Sequence, residues 1–259
     1  MKGAFVTLVT SPDFAIGALA LAKSMKSSLS SFPLVVLTTD SGDHIEALEK
    51  EGCIIKLVAL PDLSDDFKTR HSKNEIHSKN PFTKGTKPVF HDPLMNFCKL
   101  RAWELEAYET IVFLDADTLV IQNIDKLFYY PEFSAAPNLY ETLDDFNRLN
   151  SGVFVAKPNK ETFENMLRNL DKPDKYWKRT DQTFLQHFWK DWHGLPIYYN
   201  MLQYVYSNLP QLWNWEQIKV IHYQYEKPWQ KDHPKKELLK PLIKIWEQVY
   251  ETGNFQLEI

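Results

Sequence analysis

Ile111-Val112-Phe113-Leu114-Asp115-Ala116-Asp117 is an uninterrupted apolar run that ends in two carboxylates one residue apart. Four large apolar residues without polar alternation suit a strand buried on both faces, as in a parallel sheet covered by helices. In open α/β sheets the carboxyl ends of such strands are where ligands bind. Two carboxylates this close resist joint ionisation, and a divalent cation relieves the conflict. Hard oxygen ligands suit manganese, with magnesium as the alternative, and such ions complete their shells with phosphate oxygens. By itself so short a triplet reads more readily as a pair of turn-capping aspartates, so the rest of the chain has to decide.

Upstream, residues 4–9 read as a strand, Thr10-Ser11-Pro12-Asp13 as a capping turn, and Phe14, Ala18, Leu21, Ala22 and Met25 follow at helical spacing. A second strand over 34–38, a short helix carrying Ile45 and Leu48, and a third strand over 53–60 complete a βαβαβ unit. Residues 1–117 therefore read as the Rossmann-like, nucleotide-binding half of an α/β domain with a mixed, mainly parallel sheet. Residues 61–93, rich in charge and proline, interrupt the rhythm as a long surface loop or lid. Its His71, His77 and His91 match no compact metal spacing and are expected to be solvated. Helical spacing returns over 95–108, leading into the quoted strand.

Downstream come an apolar segment over 118–121, a turn at Asn123-Ile124-Asp125, a strand over 152–156 and helices over 160–170 and 181–189. Aromatic residues are dense from 176 to 215, most of them expected in the core. An amphipathic helix is predicted over 235–250. Residues 118–259 form the acceptor-side half, and the whole chain reads as one domain.

Composition narrows the function. A net charge of −4 over 259 residues argues against a nucleic-acid surface, while a diphosphate needs only a few local cations. Two cysteines, Cys53 and Cys98, imply no disulfide framework. The small-residue run 15–22 is flanked by Asp13, Lys23 and Lys26 and does not read as a signal peptide. No stretch has the apolar length of a membrane span, so a cytoplasmic enzyme is expected.

Five ordered motifs then add a resemblance. Ala-Phe-Val-Thr-Leu-Val-Thr (4–10), the stretch 97–128 around the acidic triplet, Leu-Asn-Ser-Gly-Val-Phe-Val (149–155), Thr-Asp-Gln-Thr-Phe-Leu (180–185) and Lys-Val-Ile-His-Tyr with Lys-Pro-Trp (219–229) recur in order. The chain resembles the glycogenin-like, galactinol-synthase-like branch of glycosyltransferase family eight. The resemblance implies a GT-A-type fold and manganese-dependent, retaining transfer of a hexose from a UDP-sugar. UDP-glucose or UDP-galactose is the donor expected. It implies Asp115, Asp117 and His222 as metal ligands, and Leu8, Thr10, Ser11 and Phe14 at the uridine edge, with Phe14 stacking on uracil or otherwise plain core.

It also implies Lys99 and Lys227 at the donor phosphates or sugar, Ala116 beside the metal, and Asn150, Ser151, Asp181 and Gln182 around the hexose. Asp181, Gln182 and Lys99 are the catalytic candidates, although Asp181 also suits the N-cap of the helix after it. Tyr223-Gln224-Tyr225-Glu226 stands where the family often has a glycine. Tyr176-Trp177-Lys178-Arg179 replaces a glycine-rich, acidic approach, so a different acceptor is expected. A polyol, a glycan end or a lipid-linked sugar are the acceptor classes considered, and a homodimer is compatible with all of them. The alternatives are a self-glucosylating primer using Tyr204 or Tyr206, and a non-catalytic nucleotide-sugar-binding protein.

Overall fold

The computed structural model describes residues 1–79, 85–172 and 180–256. β1 (Gly3–Val9) runs into α1 (Pro12–Ser27), followed by β2 (Leu34–Thr38), α2 (His44–Lys50), β3 (Ile54–Leu57) and α3 (Asp65–Arg70). A 3₁₀ helix, Met95–Glu104, precedes β4 (Thr110–Leu114) and β5 (Thr118–Val120). β6 (Ser134–Pro137), β7 (Leu149–Ala156), α4 (Lys160–Leu170), α5 (Asp181–Phe188) and β8 (His193–Gly194) follow. β9 (Met201–Leu202), α6 (Gln203–Asn208), β10 (Val220–His222) and α7 (Lys240–Thr252) close the described chain.

The main sheet has the order β3-β2-β1-β4-β7-β6-β8, and β5-β10-β9 form a small second sheet. β3, β2, β1 and β4 are mutually parallel, whereas β7 is antiparallel to β4. The chain order reverses at β1 and β4, so the carboxyl ends of these two strands open the crevice in which α/β sheets bind ligands. Both faces of β1 are apolar: Phe5 and Val9 pack on one side, Val6 and Leu8 on the other. That explains why the strand reads as continuous rather than alternating. A third core joins the small sheet to α7 through Leu119, Ile221, Leu242 and Trp246.

The structure corrects several boundaries. The third strand is shorter than 53–60, because pairing with β2 stops at Leu57 and this edge strand leaves Ile54 and Leu57 exposed. Residues 95–104 wind as a 3₁₀ helix rather than an α-helix, with Phe97, Leu100 and Trp103 all buried. Their spacing of three is the 3₁₀ period, in which side chains at i and i+3 eclipse. The last helix starts at Lys240 instead of 235, with Pro241 in its first turn. Proline lacks the amide and clashes with the carbonyl four residues back, so an α-helix does not run through it.

The loop over 61–93 holds α3 and a π-helical turn, Asn74–Lys79. His71 is fully buried, stacked on Phe67 at 3.9 Å with Nδ1 2.9 Å from the Phe67 carbonyl oxygen, so it is not solvated. His91 is buried as well, with a ring nitrogen 3.1 Å from Asn96 Nδ2. Both rings fill space that the exposed surface of a loop does not supply. The His77 side chain and residues 176–179 lie outside what is described.

Candidate functional site

Asp115 follows β4 directly, and its amide donates to the Gly152 carbonyl oxygen of β7 at 2.8 Å. The turn closes through Thr118 N to Asp115 O at 3.0 Å and sends the chain into β5, whose antiparallel partner β10 ends at His222. One carboxylate oxygen each from Asp115 and Asp117 and one nitrogen of His222 thus come within 4.8 Å of one another. Two hard oxygens and an imidazole nitrogen suit Mn²⁺ or Mg²⁺ among common ions. His222 Nε2 lies 3.2 Å from Asp117 Oδ1 and 3.9 Å from Asp115 Oδ2, so this donor set converges on one point and fits such an ion.

The two aspartates have different settings. Asp115 is partly exposed toward the cleft, but Asp117 is buried and accepts a hydrogen bond from the Lys227 ammonium, itself 1% exposed. Burial pushes the Asp117 carboxyl up, but the Lys227 ammonium beside it overcomes this and holds the group well below the usual carboxylate range. Asp117 thus lines the cleft from a buried position, whereas Asp115 is open to it. Lys227 also donates to the Tyr223 carbonyl oxygen at 2.9 Å, which anchors it across the segment 223–226.

Lys99, on the 3₁₀ helix, lies 2.9 Å from Asp115 Oδ1 and 2.9 Å from Asp181 Oδ2. Burial disfavours its charge, yet the two carboxylates, Asp115 first, outweigh that and raise its pKa. Asp181 is not the helix cap. Thr180 is, with its hydroxyl accepting from the Thr183 amide at 3.2 Å, which leaves the Asp181 carboxylate free for Lys99 and for the Ser151 hydroxyl at 3.0 Å. Gln182 Oε1 accepts from the Ser151 amide at 3.2 Å.

These residues line one cleft of about 310 Å³ with Leu8, Thr10, Phe14, Ala116 and Asn150. Ser11, the N-cap of α1, is the one candidate that does not line it. Its side chain makes no capping hydrogen bond. Phe14 meets Phe90 edge-to-face at 5.1 Å, so it is half-buried rather than plain core.

Sequence reading missed Lys87, Asn138, Tyr140 and Arg148, which also line the cleft. Lys87 comes from the loop read as a lid, and only its basic character was a signal. Desolvation, with Lys227 adding, pushes its ammonium down to about 8 against the pull of Asp117, Asp115 and Asp181. Arg148 pairs locally with Asp145 at 3.2 Å.

A cleft at the reversal point of a nucleotide-binding sheet, holding a convergent metal set and several cations, suits a phosphorylated ligand. The family model for Glycosyl transferase family 8 matches residues 5–233. The chain is 35% identical over 237 residues to glycogenin-1 of Oryctolagus cuniculus, covering 87% of this chain and 65% of that protein. It is 28% identical to galactinol synthase 6 of Arabidopsis thaliana, over 98% of this chain and 82% of that one. The putative UDP-glucuronate:xylan alpha-glucuronosyltransferase 5 of Arabidopsis thaliana is 32% identical over 87% of this chain, which spans 36% of that protein's length.

Among solved structures, the glycosyltransferase GlyE of Streptococcus pneumoniae superposes with a TM-score of 0.64 at 16% identity, over 100% of this chain and 66% of that one, a likeness of fold. Among the described residues no helix is long and apolar enough to cross a membrane. Because the family model spans residues 5–233, and that region carries β1, β4, β7, α5 and β10 into the same cleft, the chain belongs to glycosyl transferase family 8.

Proposed function

We propose that this chain, acting as one domain over residues 1–259, moves a hexose from UDP-glucose or UDP-galactose to an external acceptor hydroxyl with retention at the anomeric carbon. Asp115, Asp117 and His222 would hold Mn²⁺. The observation that carries this reading is the buried Lys99 bridge, which ties Asp115 to Asp181 with 2.9 Å contacts on both sides. It fixes the distance between the carboxylate at the metal and the carboxylate assigned to the sugar. A bound cation would neutralise charge on the diphosphate as its bond to the sugar breaks.

The chain's own groups would do the rest. Leu8, Thr10 and Phe14 hold the uridine edge, and Lys227 and Lys87 add positive charge along the diphosphate. Asn150 and Gln182 orient the hexose, and Asp181 stabilises positive charge at the anomeric carbon. Asn150 has limited capacity for this: its Oδ1 already accepts from Gly152 N and Asn200 Nδ2, at 2.9 and 2.8 Å. One Nδ2 hydrogen remains for a sugar hydroxyl. We include a cytoplasmic location in the proposal, resting on two thiols, Cys53 and Cys98, that are buried and form no disulfide.

The direct test is release of UDP from a panel of UDP-sugars with and without Mn²⁺. UDP-glucose or UDP-galactose should be consumed only with metal. Consumption of UDP-glucuronate alone, or equal turnover after chelation, would reject the donor or the metal.

Gly152 supplies a second test. A β-carbon there would sit 2.3 Å from His222 Cε1 and 2.9 Å from Asn150 Oδ1, too close for either rigid group to yield. Gly152→Ala should weaken Mn²⁺ binding by about tenfold or more, since displaced ligands commonly cost that much. Titration calorimetry reads this, and unchanged affinity would remove His222 from the ligand set.

An external acceptor is favoured over self-glucosylation by the setting of Tyr204. Its hydroxyl is buried, donates to the Glu226 carboxylate and accepts from Lys235 Nζ at 2.7 Å. Tyr206 is half-buried against Trp213 and Trp215. Intact-mass spectrometry after incubation with donor and Mn²⁺ should show no hexose ladder. A ladder abolished by Tyr206→Phe would establish the primer reading instead.

A further inference from the structure

We propose that Asn200 is a positioning residue for His222: through Asn150 and Asn200, the backbone amide of Gly152 decides which imidazole nitrogen carries the proton, leaving Nε2 bare toward Asp115 and Asp117. The inference rests on the reading that these three side chains hold a divalent cation. His222 Nδ1 lies 2.9 Å from Asn200 Oδ1. Asn200 Nδ2 donates to Asn150 Oδ1 at 2.8 Å, and Asn150 Nδ2 donates to Asn138 Oδ1 at 2.8 Å. All four side chains are buried, so water does not supply substitute partners at low cost.

A row of carboxamides can in principle run in either direction, because the oxygen and nitrogen ends have nearly the same shape. Here the direction is fixed. Asn150 Oδ1 also receives the Gly152 backbone N–H at 2.9 Å, and a backbone amide nitrogen only donates. Turning Asn150 over would set its NH₂ against that N–H. Asn150 must therefore keep its oxygen toward Gly152 and Asn200, Asn200 must offer its NH₂ to that oxygen, and the Asn200 oxygen is left facing the imidazole.

An acceptor at that position holds the imidazole proton on Nδ1. Nε2 then carries a lone pair, 3.2 Å from Asp117 Oδ1 and 3.9 Å from Asp115 Oδ2. A lone pair directed between two carboxylates completes a cation site, whereas a proton on Nε2 would satisfy the carboxylates and obstruct the metal. The backbone places Asn200 for this work: it directly precedes β9, which pairs in parallel with β10 so that Leu202 sits opposite His222. Asn200 is absent from the donor cleft lining, so its effect passes through the two side chains it touches, His222 and Asn150, and the tautomer readout isolates the first.

Long-range ¹H–¹⁵N spectra of histidine-labelled, metal-free protein at a pH where imidazole is neutral report the tautomer directly, with His222→Ala assigning the signal. Wild type and Asn200→Asp should show a protonated Nδ1 and a bare Nε2, because a carboxylate keeps the acceptor while losing the donor. Asn200→Ala should move the proton to Nε2 and weaken Mn²⁺ binding about 10–100-fold, with Asn200→Asp within about threefold of wild type. A protonated Nε2 in the wild type, or an Asn200→Ala protein with wild-type tautomer and affinity, overturns the proposal. If Asn200→Ala does not fold, the wild-type and Asn200→Asp spectra still decide it. Wild-type Mn²⁺ affinity in His222→Ala would overturn the metal reading separately, since the spectra contain no metal.

Discussion

Replacing Asp115 with Asn is expected to lower Mn²⁺-dependent release of UDP by about 10³-fold, the scale of several kcal/mol of lost charge stabilisation. The fold should be nearly unaffected, because the Asp115 side chain is 29% exposed and the amide still fits the turn after β4. Asp117→Asn should abolish turnover equally but also destabilise the protein, since it removes the counter-charge of Lys227, buried at 1% exposure. Breaking a buried pair costs about 3–5 kcal/mol, moderated here because an amide oxygen still accepts from the ammonium. Paired measurements of turnover and Tm separate the two positions. Near-normal metal-dependent turnover in either variant would end the metal assignment, and equal Tm values would show that the Asp117–Lys227 pair contributes nothing to stability.

The halves of the site differed in how legible they were in the sequence. β1, β2 and β4 are apolar but for one threonine each and run into turn or acidic residues, so their existence and the crevice at their carboxyl ends followed from pattern alone. The third strand and the last helix shifted because pairing partners and a proline, rather than local hydrophobicity, set their limits. His222 and Lys227 sit more than 100 positions beyond the acidic triplet and carry no periodic signal, so only the ordered motifs pointed to them. Asn200 was invisible. Nothing in Tyr198-Tyr199-Asn200 marks a buried carboxamide, and its partners Asn150 and His222 come from separate strands. Lys87 was hidden for a related reason, since a lysine in a charged loop gives no sign of which way the loop folds.

Lys99→Met is expected to damage both stability and turnover, and the two losses are separable. Lys99 is 4% exposed and is the shared partner of Asp115 and Asp181, so removing its charge leaves the buried Asp181 carboxylate, among the described residues, with the Ser151 hydroxyl as its hydrogen-bond partner. An uncompensated buried charge costs about 3–5 kcal/mol, which for a chain of this size corresponds to a fall in Tm on the order of 10 °C. Adding Asp181→Asn to Lys99→Met should restore much of the Tm, because a neutral amide needs no counter-charge. Turnover should stay low by about 10²–10³-fold in both, since the proposed mechanism uses the Asp181 carboxylate beside the anomeric carbon and Lys99 to hold it there. Lys99→Arg keeps a charge but substitutes a planar fork for a compact ammonium that fits between two carboxylates. It should recover stability more fully than activity. Recovery of activity in the double variant would show that Asp181 matters only as the counter-charge of Lys99, and the assignment of Asp181 to the sugar would fall.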